Sequence, residues 1–176
     1  DKARALVIST EPILLIGSPM CTAFSSWQHL NNLKRDPGVT QREYARAMVH
    51  IRFVMELYEI QRKGGRYFLH EHPASATSWQ EACVAKLANE DDVHTSVCDQ
   101  CQYGQKSQAG FPIKKPTKFM TNSELLADEL TKRCNGVRGI CVDGNKHQHC
   151  TGKHAKGAAI YPKDLCLAIL KGIVKQ

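Results

Sequence analysis

A short apolar run and a second strand-like segment flank a long segment of helical periodicity, and this alternation most constrains what the chain can fold into. Residues 12–16 are apolar throughout, which predicts a strand buried in a sheet that is covered on both faces. Apolar residues then recur at helical spacing from 41 to 63, and Gly64-Gly65 ends that helix. Residues 66–73 predict a second strand. Strand, helix and strand in this order predict a parallel α/β sheet.

The same rhythm continues as far as residue 133. Ser78 and Glu81 form a capping box, which predicts a helix from Ser78 to about residue 89. The remaining predicted elements are strands at 93–97 and 116–121, helices at 123–133 and 162–173, and a loop at 31–40. With 176 residues, the chain is long enough for one domain with a real core. We therefore expect an α/β fold organised as a single domain over residues 1–176.

One segment near the C-terminus lacks hydrophobic periodicity and is rich in residue types that bind metals. Residues 134–157 form an irregular insertion of glycine, lysine, cysteine and histidine. A zinc ion would stabilise such a segment, because it replaces the core that the segment lacks. The alternative is a set of reduced thiols and solvated histidines. The candidate ligands are Cys98, Cys101, Cys134 and Cys141, with His147 or His149 as substitutes.

Length and cysteine usage indicate a reducing compartment. The chain contains 8 cysteines, but a chain with this many core residues does not need a disulfide framework. No apolar run approaches the ~20 residues of a membrane helix, and no signal peptide opens the sequence. We expect an intracellular protein without a membrane partner, nuclear if the source is eukaryotic.

The net charge favours a polyanionic partner. It is +7, with an isoelectric point near 9.0. Lys114, Lys115 and Lys118 surround Pro116, where a predicted strand begins. We expect these lysines at one edge of the sheet, in contact with the phosphates of DNA or RNA. The alternative is a solvated basic face.

Cys21 follows the first predicted strand in a loop of small and polar residues. Open α/β folds place their sites at the carboxyl edge of the sheet, where this thiol would act as a nucleophile. Such a thiol needs a turn, a helix dipole or a nearby cation to lower its pKa. The alternative is a structural cysteine that packs as a small hydrophobe.

Glu71 lies near the end of the second predicted strand, between His70 and His72. A carboxylate in this position, flanked by imidazoles, is a candidate general acid. Side chains alternate along a strand, so both histidines share one face and Glu71 takes the other. The alternative is that Glu71 caps a neighbouring backbone group.

In their order along the chain, these motifs resemble the DNA cytosine-5 methyltransferase family, in its short and divergent phage and mobile-element form. Residues 16–25 are similar to the family's Gly-Pro-Pro-Cys nucleophile loop, which ends in Phe-Ser. Residues 68–73 resemble the strand end that carries the family's catalytic glutamate. Residues 101–104 and 115–118 resemble a Cys-x-Tyr-Gly and Lys-Pro-Thr block, and residues 159–166 resemble the segment before the last helix.

The resemblance implies a partial Rossmann-like methyltransferase sheet, with S-adenosylmethionine as cofactor and DNA as substrate. It implies that Cys21 adds to carbon 6 of a flipped-out cytosine while Glu71 hydrogen-bonds or protonates nitrogen 3. The residues expected to contact the substrate are Ser18, Pro19, Ser25, His72, Lys114, Lys115 and Lys118.

The chain also departs from this family. Met20 stands where the family has a proline, and His72 replaces the asparagine that follows the glutamate. No Phe-x-Gly-x-Gly segment precedes residue 12, so the resemblance implies a missing N-terminal half, a partner chain that supplies it, or lost cofactor binding. The competing function is a non-catalytic, zinc-stabilised nucleic-acid-binding module of a mobile-element protein.

Overall fold

A computed structural model describes residues 2–25, 28 and 35–176, which form a mixed α/β structure. The helices with bounds in this part are α1 (Lys2–Thr10), α2 (Pro37–Lys63), α3 (Ala82–Ala88), α4 (Glu124–Glu129), α5 (Gly152–Gly157) and α6 (Lys163–Val174). The strands are β1 (Leu14–Gly17), β2 (Tyr67–Pro73), β3 (His94–Asp99) and β4 (Pro116–Thr121). The strands and the long helix that periodicity predicts are therefore confirmed to within a few residues.

The four strands form one sheet in the order β1-β2-β4-β3. β1 pairs parallel to β2, with Leu14 opposite Tyr67 and Gly17 opposite His70. This pairing is the part of the predicted parallel sheet that the structure confirms.

β4 runs antiparallel to both of its neighbours. Just beyond the end of β4, the Asn122 side chain accepts a hydrogen bond from the backbone N–H of Phe68, near the start of β2, at 3.0 Å. At the opposite end, Gln100 N donates to Lys115 O at 3.1 Å, so the end of β3 meets the start of β4. The prediction of a wholly parallel sheet is wrong here, because residues 100–115 contain no helical crossover of the kind that parallel strands need.

The first compact unit comprises Asp1–Thr95 and Met120–Ser123. Its core forms where α2 and α3 bury one face against the strands, and α2 contacts both β1 and β2. The largest buried side chains of this core include Phe24, Ile51, Tyr58, Phe68, Leu87 and Met120. Asp36 caps α2, since its carboxylate accepts from Val39 N at 2.8 Å, and Pro37 fits the first turn because that turn needs no N–H from it.

The second compact unit comprises Ser96–Phe119 and Glu124–Gln176. Here α4 packs against α6, and Leu126 and Leu165 are completely buried. Gly172 permits this close approach, because a Cβ at that position would lie 2.7 Å from the Cα of Leu126. The hydroxyl of the buried Tyr103 donates to Glu129 O at 2.7 Å.

The structure corrects the predicted surroundings of the first strand. α1 precedes β1, although no element was predicted there. β1 lies at the edge of the sheet, with Ile13 just before it 72% exposed and Ile16 48% exposed. A fully apolar run therefore does not mark a strand covered on both faces, because an edge strand leaves part of its apolar surface accessible.

Two helix starts and one helix end also differ from prediction. Ser78 lies in a 3₁₀ turn and does not cap α3, which begins only at Ala82. The helix predicted over 123–133 ends at Glu129. Of the predicted loop at 31–40, residues 31–34 lie outside the described residues and 37–40 belong to α2.

None of the helices in the described part of the chain combines the length and apolar character needed to cross a membrane.

Candidate functional site

Four side chains that could hold a metal ion meet in the second unit: Cys101, Cys134, Cys141 and His147. Their ligand atoms all lie within 4.8 Å of one another. The Cys134 Sγ is 3.7 Å from the Cys141 Sγ and 3.6 Å from the His147 Nε2. Around a tetrahedral zinc ion, with bonds of ~2.3 Å to sulfur and ~2.0–2.1 Å to nitrogen, these two separations are about 3.8 Å and about 3.6 Å. The observed separations therefore fit a tetrahedral metal ion.

A strand end and a hairpin bring the four ligands together. Cys101 lies in the 3₁₀ turn that directly follows β3, and the other three belong to the cysteine loop, defined here as residues 132–150. Within this loop, Cys141 N donates to Asn145 O and His147 N donates to Gly139 O, each at 2.7 Å. Gly139 and Gly144 have φ values of +79° and +82°, the left-handed conformation that this tight reversal requires.

The cysteine loop has no apolar core of its own. Among its residues, all of which are described, only Cys134 and Cys141 are buried. Its larger apolar side chains face solvent, with Val137 73% exposed and Val142 57% exposed. A metal ion at the four ligands would therefore take the place of a core.

The Gln102 side chain places a hydrogen-bond donor beside two of the thiols. The Gln102 Nε2 lies 3.5 Å from the Cys101 Sγ and 3.7 Å from the Cys141 Sγ, within donating distance of both sulfurs. Donors of this kind favour the thiolate, which is the form that binds metals. Sequence reasoning did not identify Gln102, whose only signal is its place beside Cys101.

The thiols differ in pKa. Burial raises the pKa of Cys101 to about 12, and the negative charge of its neighbours Cys141 and Cys134 adds to this effect. Burial also acts to raise the pKa of Cys134, but hydrogen bonds from the Gly136 and Val142 backbone and from the Cys141 and Cys101 side chains together outweigh it, and the pKa of that thiol is lowered. Three thiolates this close repel one another, so full deprotonation of the cluster needs a cation.

The structure leaves two of the predicted metal ligands outside the cluster. Cys98 is completely buried in β3, whereas Cys101 lies beyond the strand end, so the two thiols of this Cys-x-x-Cys pair do not face the same site. Of the two predicted substitutes, His147 is the fourth member of the cluster in place of Cys98, whereas His149 is exposed and is not part of it. His147 also takes part in the hairpin of the cysteine loop, where its N–H donates to Gly139 O.

Cys21 and Glu71 lie at one edge of the first unit. The parallel register sets Gly17, the last residue of β1, opposite His70, so both strands lead to the same carboxyl edge. Cys21 is half-buried and immediately precedes the 3₁₀ turn Thr22–Phe24. Glu71 follows His70 directly and is buried. That the Cys21 thiol and the Glu71 carboxylate meet at this edge stays a prediction.

His72 attaches the Cys21 loop to the strand beneath it. Its Nε2 lies 2.9 Å from Pro19 O, and its Nδ1 lies 2.6 Å from the Ser78 Oγ. A carbonyl can only accept, so Nε2 carries the proton and Nδ1 accepts from the Ser78 hydroxyl. Burial lowers the pKa of His72, although the bond to Pro19 opposes this effect, and the neutral ring is favoured. Sequence reasoning identified His72 and Pro19 as substrate contacts and missed their contact with each other.

A second buried histidine supports the same strand ends. The Tyr58 hydroxyl donates to Gly17 O at 3.1 Å and lies 3.3 Å from the His70 Nδ1. Burial holds the pKa of His70 well below its ordinary value, and the neighbouring His72 lowers it further. Sequence reasoning took Tyr58 only as part of the apolar face of α2.

Two of the lysines that the sequence predicts to contact phosphate donate hydrogen bonds to backbone carbonyls instead. Lys114 Nζ donates to Cys134 O and Lys115 Nζ donates to Ala158 O, each at 3.1 Å. Lys118 is half-buried on β4. Of the two serines predicted to contact substrate, Ser18 is exposed and Ser25 is half-buried.

A scan against protein-family models, a search of curated proteins and a search of solved structures each returned no match to this chain. Side-chain geometry and charge are therefore the basis for inferring function.

Proposed function

We propose that the second unit is a zinc-stabilised module in which Cys101, Cys134, Cys141 and His147 hold one structural zinc ion. The observation that carries this proposal is the gathering of four ligand atoms within 4.8 Å of one another, with the Cys134–Cys141 and Cys134–His147 separations matching edges of a zinc tetrahedron. Four protein ligands complete the coordination, as in structural zinc sites, whereas a catalytic site keeps one position open for water.

Zinc analysis of matched variants tests this proposal. We expect one zinc per purified chain, lost in His147→Gln and kept in His149→Gln, since the second imidazole lies outside the cluster. The matching pair of thiols is Cys141→Ser, which should lose the metal, and Cys166→Ser, which should keep it because Cys166 is exposed and remote in sequence. A chain without zinc, or equal loss in both members of a pair, would overturn the proposal.

Nucleic acid is the partner we propose for this unit, and the charge distribution supports it. The second unit holds 13 of the 24 Lys and Arg residues but only 6 of the 17 Asp and Glu residues. The whole net charge of +7 therefore belongs to it, and the first unit is neutral. Exposed cations on or near the cysteine loop include Lys106, Lys132, Arg138, Lys146 and Lys156. Cations concentrated in this way favour the phosphate backbone of DNA or RNA.

Charge variants separate this partner from general solubility. Arg138→Gln, Lys146→Gln and Lys156→Gln combined should weaken binding to a DNA or RNA oligonucleotide, uniformly across sequences. The log–log salt dependence should flatten by about 0.7–0.9 for each phosphate that the variant no longer neutralises. The control combines Arg46→Gln, Lys63→Gln and Lys86→Gln, which remove the same charge from exposed positions of the first unit. Equal losses in both variants, or no binding at low salt, would contradict the proposal.

A second candidate function is carried by the edge at Cys21 and Glu71, and it corresponds to the cytosine-5 methyltransferase resemblance. Two adjacent parallel strands lead to this edge, and the bond from His72 to Pro19 orients the loop before Cys21. The Cys21 thiolate would form a bond to carbon 6 of a cytosine, while Glu71 donates a hydrogen bond or a proton to nitrogen 3.

The described residues at this edge do not fit S-adenosylmethionine as a cofactor. β1 ends in a single glycine, Gly17, and a Cβ there would meet the Tyr58 hydroxyl. The space beside this glycine is therefore filled by a side chain and leaves no room for a ligand. We therefore derive only the addition step, which needs no methyl donor.

An oligonucleotide carrying 5-azacytosine tests this step. Its ring nitrogen at position 5 takes up a proton from solvent after the thiolate adds, and the adduct persists. We expect a covalent complex that is abolished by Cys21→Ser, reduced by Glu71→Gln and unchanged by Cys83→Ser, another half-buried thiol of the same unit. An adduct that survives Cys21→Ser, or the absence of any adduct, would remove this second candidate.

A further inference from the structure

Charged side chains hold the backbone of Cys134 on both sides. The Asp99 Oδ2 accepts a hydrogen bond from Cys134 N at 2.8 Å. Lys114 Nζ donates to Cys134 O at 3.1 Å and lies 3.8 Å from the same Asp99 oxygen. The carboxylate and the ammonium therefore form a closed ring with the N–H and C=O groups of one residue, which we call the Cys134 clamp.

The clamp is built on the sheet and not on the cysteine loop. Asp99 is the last residue of β3, and Lys114 lies two residues before β4 begins. Only 1% of the Asp99 side chain is exposed, so its charge is almost entirely removed from water. Burial of a carboxylate is costly unless it is paired and hydrogen-bonded. Here Arg133 Nε, at 3.0 Å, joins the Cys134 N–H and Lys114 in compensating it.

An apolar residue at position 99 would avoid this desolvation cost. The contacts that the buried carboxylate makes with the cysteine loop are therefore the feature that distinguishes it from an apolar residue. The loop has no core of its own, and the clamp attaches it to the strand ends directly at a metal ligand. Asp99 N also donates to Lys132 O at 2.9 Å, which attaches the start of the loop to the same residue.

We propose that Asp99 and Lys114 are positioning residues for the metal: they fix the Cys134 backbone, and with it the Sγ atom, at the tetrahedral position before the metal binds. The inference rests on the proposed zinc site and names the groups that set its affinity. Partners of this kind that orient metal ligands typically change metal affinity by 10- to 100-fold when they are removed.

The test measures zinc affinity of the full chain by competition with a chelator, together with the cobalt(II) absorption spectrum. Asp99→Asn and Lys114→Met should each lower zinc affinity by about 10- to 100-fold, speed the transfer of zinc to the chelator and alter the cobalt bands. Lys114→Arg should restore most of the affinity, because the guanidinium still donates to Cys134 O. In the double variant Asp99→Asn with Lys114→Met, the loss of zinc-binding free energy should be smaller than the sum of the two single losses, since both side chains act on one residue.

Lys115→Met is the matched control. Lys115 is the next residue and also donates to a backbone carbonyl at 3.1 Å, but that carbonyl belongs to Ala158, which is not a metal ligand. This variant should keep wild-type affinity and the wild-type cobalt spectrum. Equal loss in Lys115→Met would indicate general destabilisation and overturn the clamp, as would wild-type affinity and spectra in both Asp99→Asn and Lys114→Met. A wild-type chain without zinc would instead overturn the proposed zinc site, and the clamp with it.

Discussion

The Nε2 atom of His147 lies 3.6 Å from the Sγ atom of Cys134, in a loop that has no apolar core to hold the two side chains together. The hairpin bonds within the loop are few, and most of its residues are exposed. Contacts of this kind do not stabilise an irregular segment by themselves, since the conformational entropy of ordering it opposes them. The proposed zinc ion therefore has a measurable consequence for local order.

Removal of zinc should release the cysteine loop while β2 stays folded. We expect hydrogen exchange in residues 132–150 to accelerate after chelation, because the metal is the only core proposed for this segment. Peptides from β2 should keep their protection, since Phe68, Leu69 and His70 are completely buried in the described structure. Mass spectrometry with and without chelator measures both, and equal protection of the loop in the two samples would contradict this prediction.

Gly136→Ala should weaken metal binding. A Cβ at this position would meet Ile140 O and lie 2.9 Å from the Cys141 Cα, so the backbone next to a proposed ligand must shift. We expect zinc affinity to fall by about 10-fold or more, as measured by chelator competition.

Gly157→Ala is the control for this glycine. Its Cβ would meet no heavy atom within 4 Å, and the residue ends the short helix α5. It should leave zinc affinity unchanged. Equal affinities in the two variants would show that the Cys141 backbone is free to adjust.

Gly17→Ala should destabilise the first unit through its contact with Tyr58. The new Cβ would clash with the hydroxyl oxygen of this completely buried tyrosine, and overpacking of that kind costs about 1–3 kcal/mol. Tyr58→Phe alone should also destabilise, because Gly17 O and the His70 Nδ1 lose a partner. Tyr58→Phe also removes the oxygen that clashes with the new Cβ. The double variant should therefore lose less free energy of unfolding than the two single variants lose in sum.

Urea unfolding of the four species in a double-mutant cycle measures this coupling. Tyr44→Phe is the control, because its hydroxyl bonds to Glu81 and not to the strand end. Gly17→Ala and Tyr44→Phe should therefore be additive. Additivity of Gly17→Ala with Tyr58→Phe as well would show that the tyrosine yields to the new methyl group.

The buried histidines should make the chain less stable in acid. Burial lowers the pKa of both His70 and His72, so the folded chain keeps them neutral where the unfolded chain binds a proton. Their contribution is fully present above the unfolded pKa of ~6.5 and is lost as the pH falls toward the folded values. The slope reaches up to about 1.4 kcal/mol per pH unit for each histidine.

Unfolding free energies at pH 7.5, 6.5 and 5.5 measure this effect. His70→Asn should flatten the dependence, whereas His50→Gln should not, because His50 is exposed on α2. Acid also weakens metal binding by protonating the ligands, so the informative quantity is the difference between variants. Identical pH dependence in wild type and His70→Asn would contradict the prediction.

Local patterns were enough to predict several elements of the chain. The apolar periodicity of residues 41–63 predicted most of α2, and the strand-like segment 66–73, which ends at a proline, predicted β2. The lack of periodicity after residue 133 predicted an irregular segment, and residues 132–150 contain no helix or strand. These predictions succeed because helix periodicity, strand alternation and burial tendency are properties of neighbouring residues.

Tertiary structure decided which of those residues meet. Cys98 was the nearest thiol to Cys101 in sequence, yet β3 buries one while the other lies beyond the strand end, and His147 completes the cluster from a hairpin 46 positions further along the chain than Cys101. Ser78 had the spacing of a helix cap, yet its hydroxyl pairs with His72. Each outcome depends on where a strand ends or on the register of a hairpin. These features are set by contacts between residues far apart in sequence, which determine which polar groups share a buried site. No local sequence pattern encodes them.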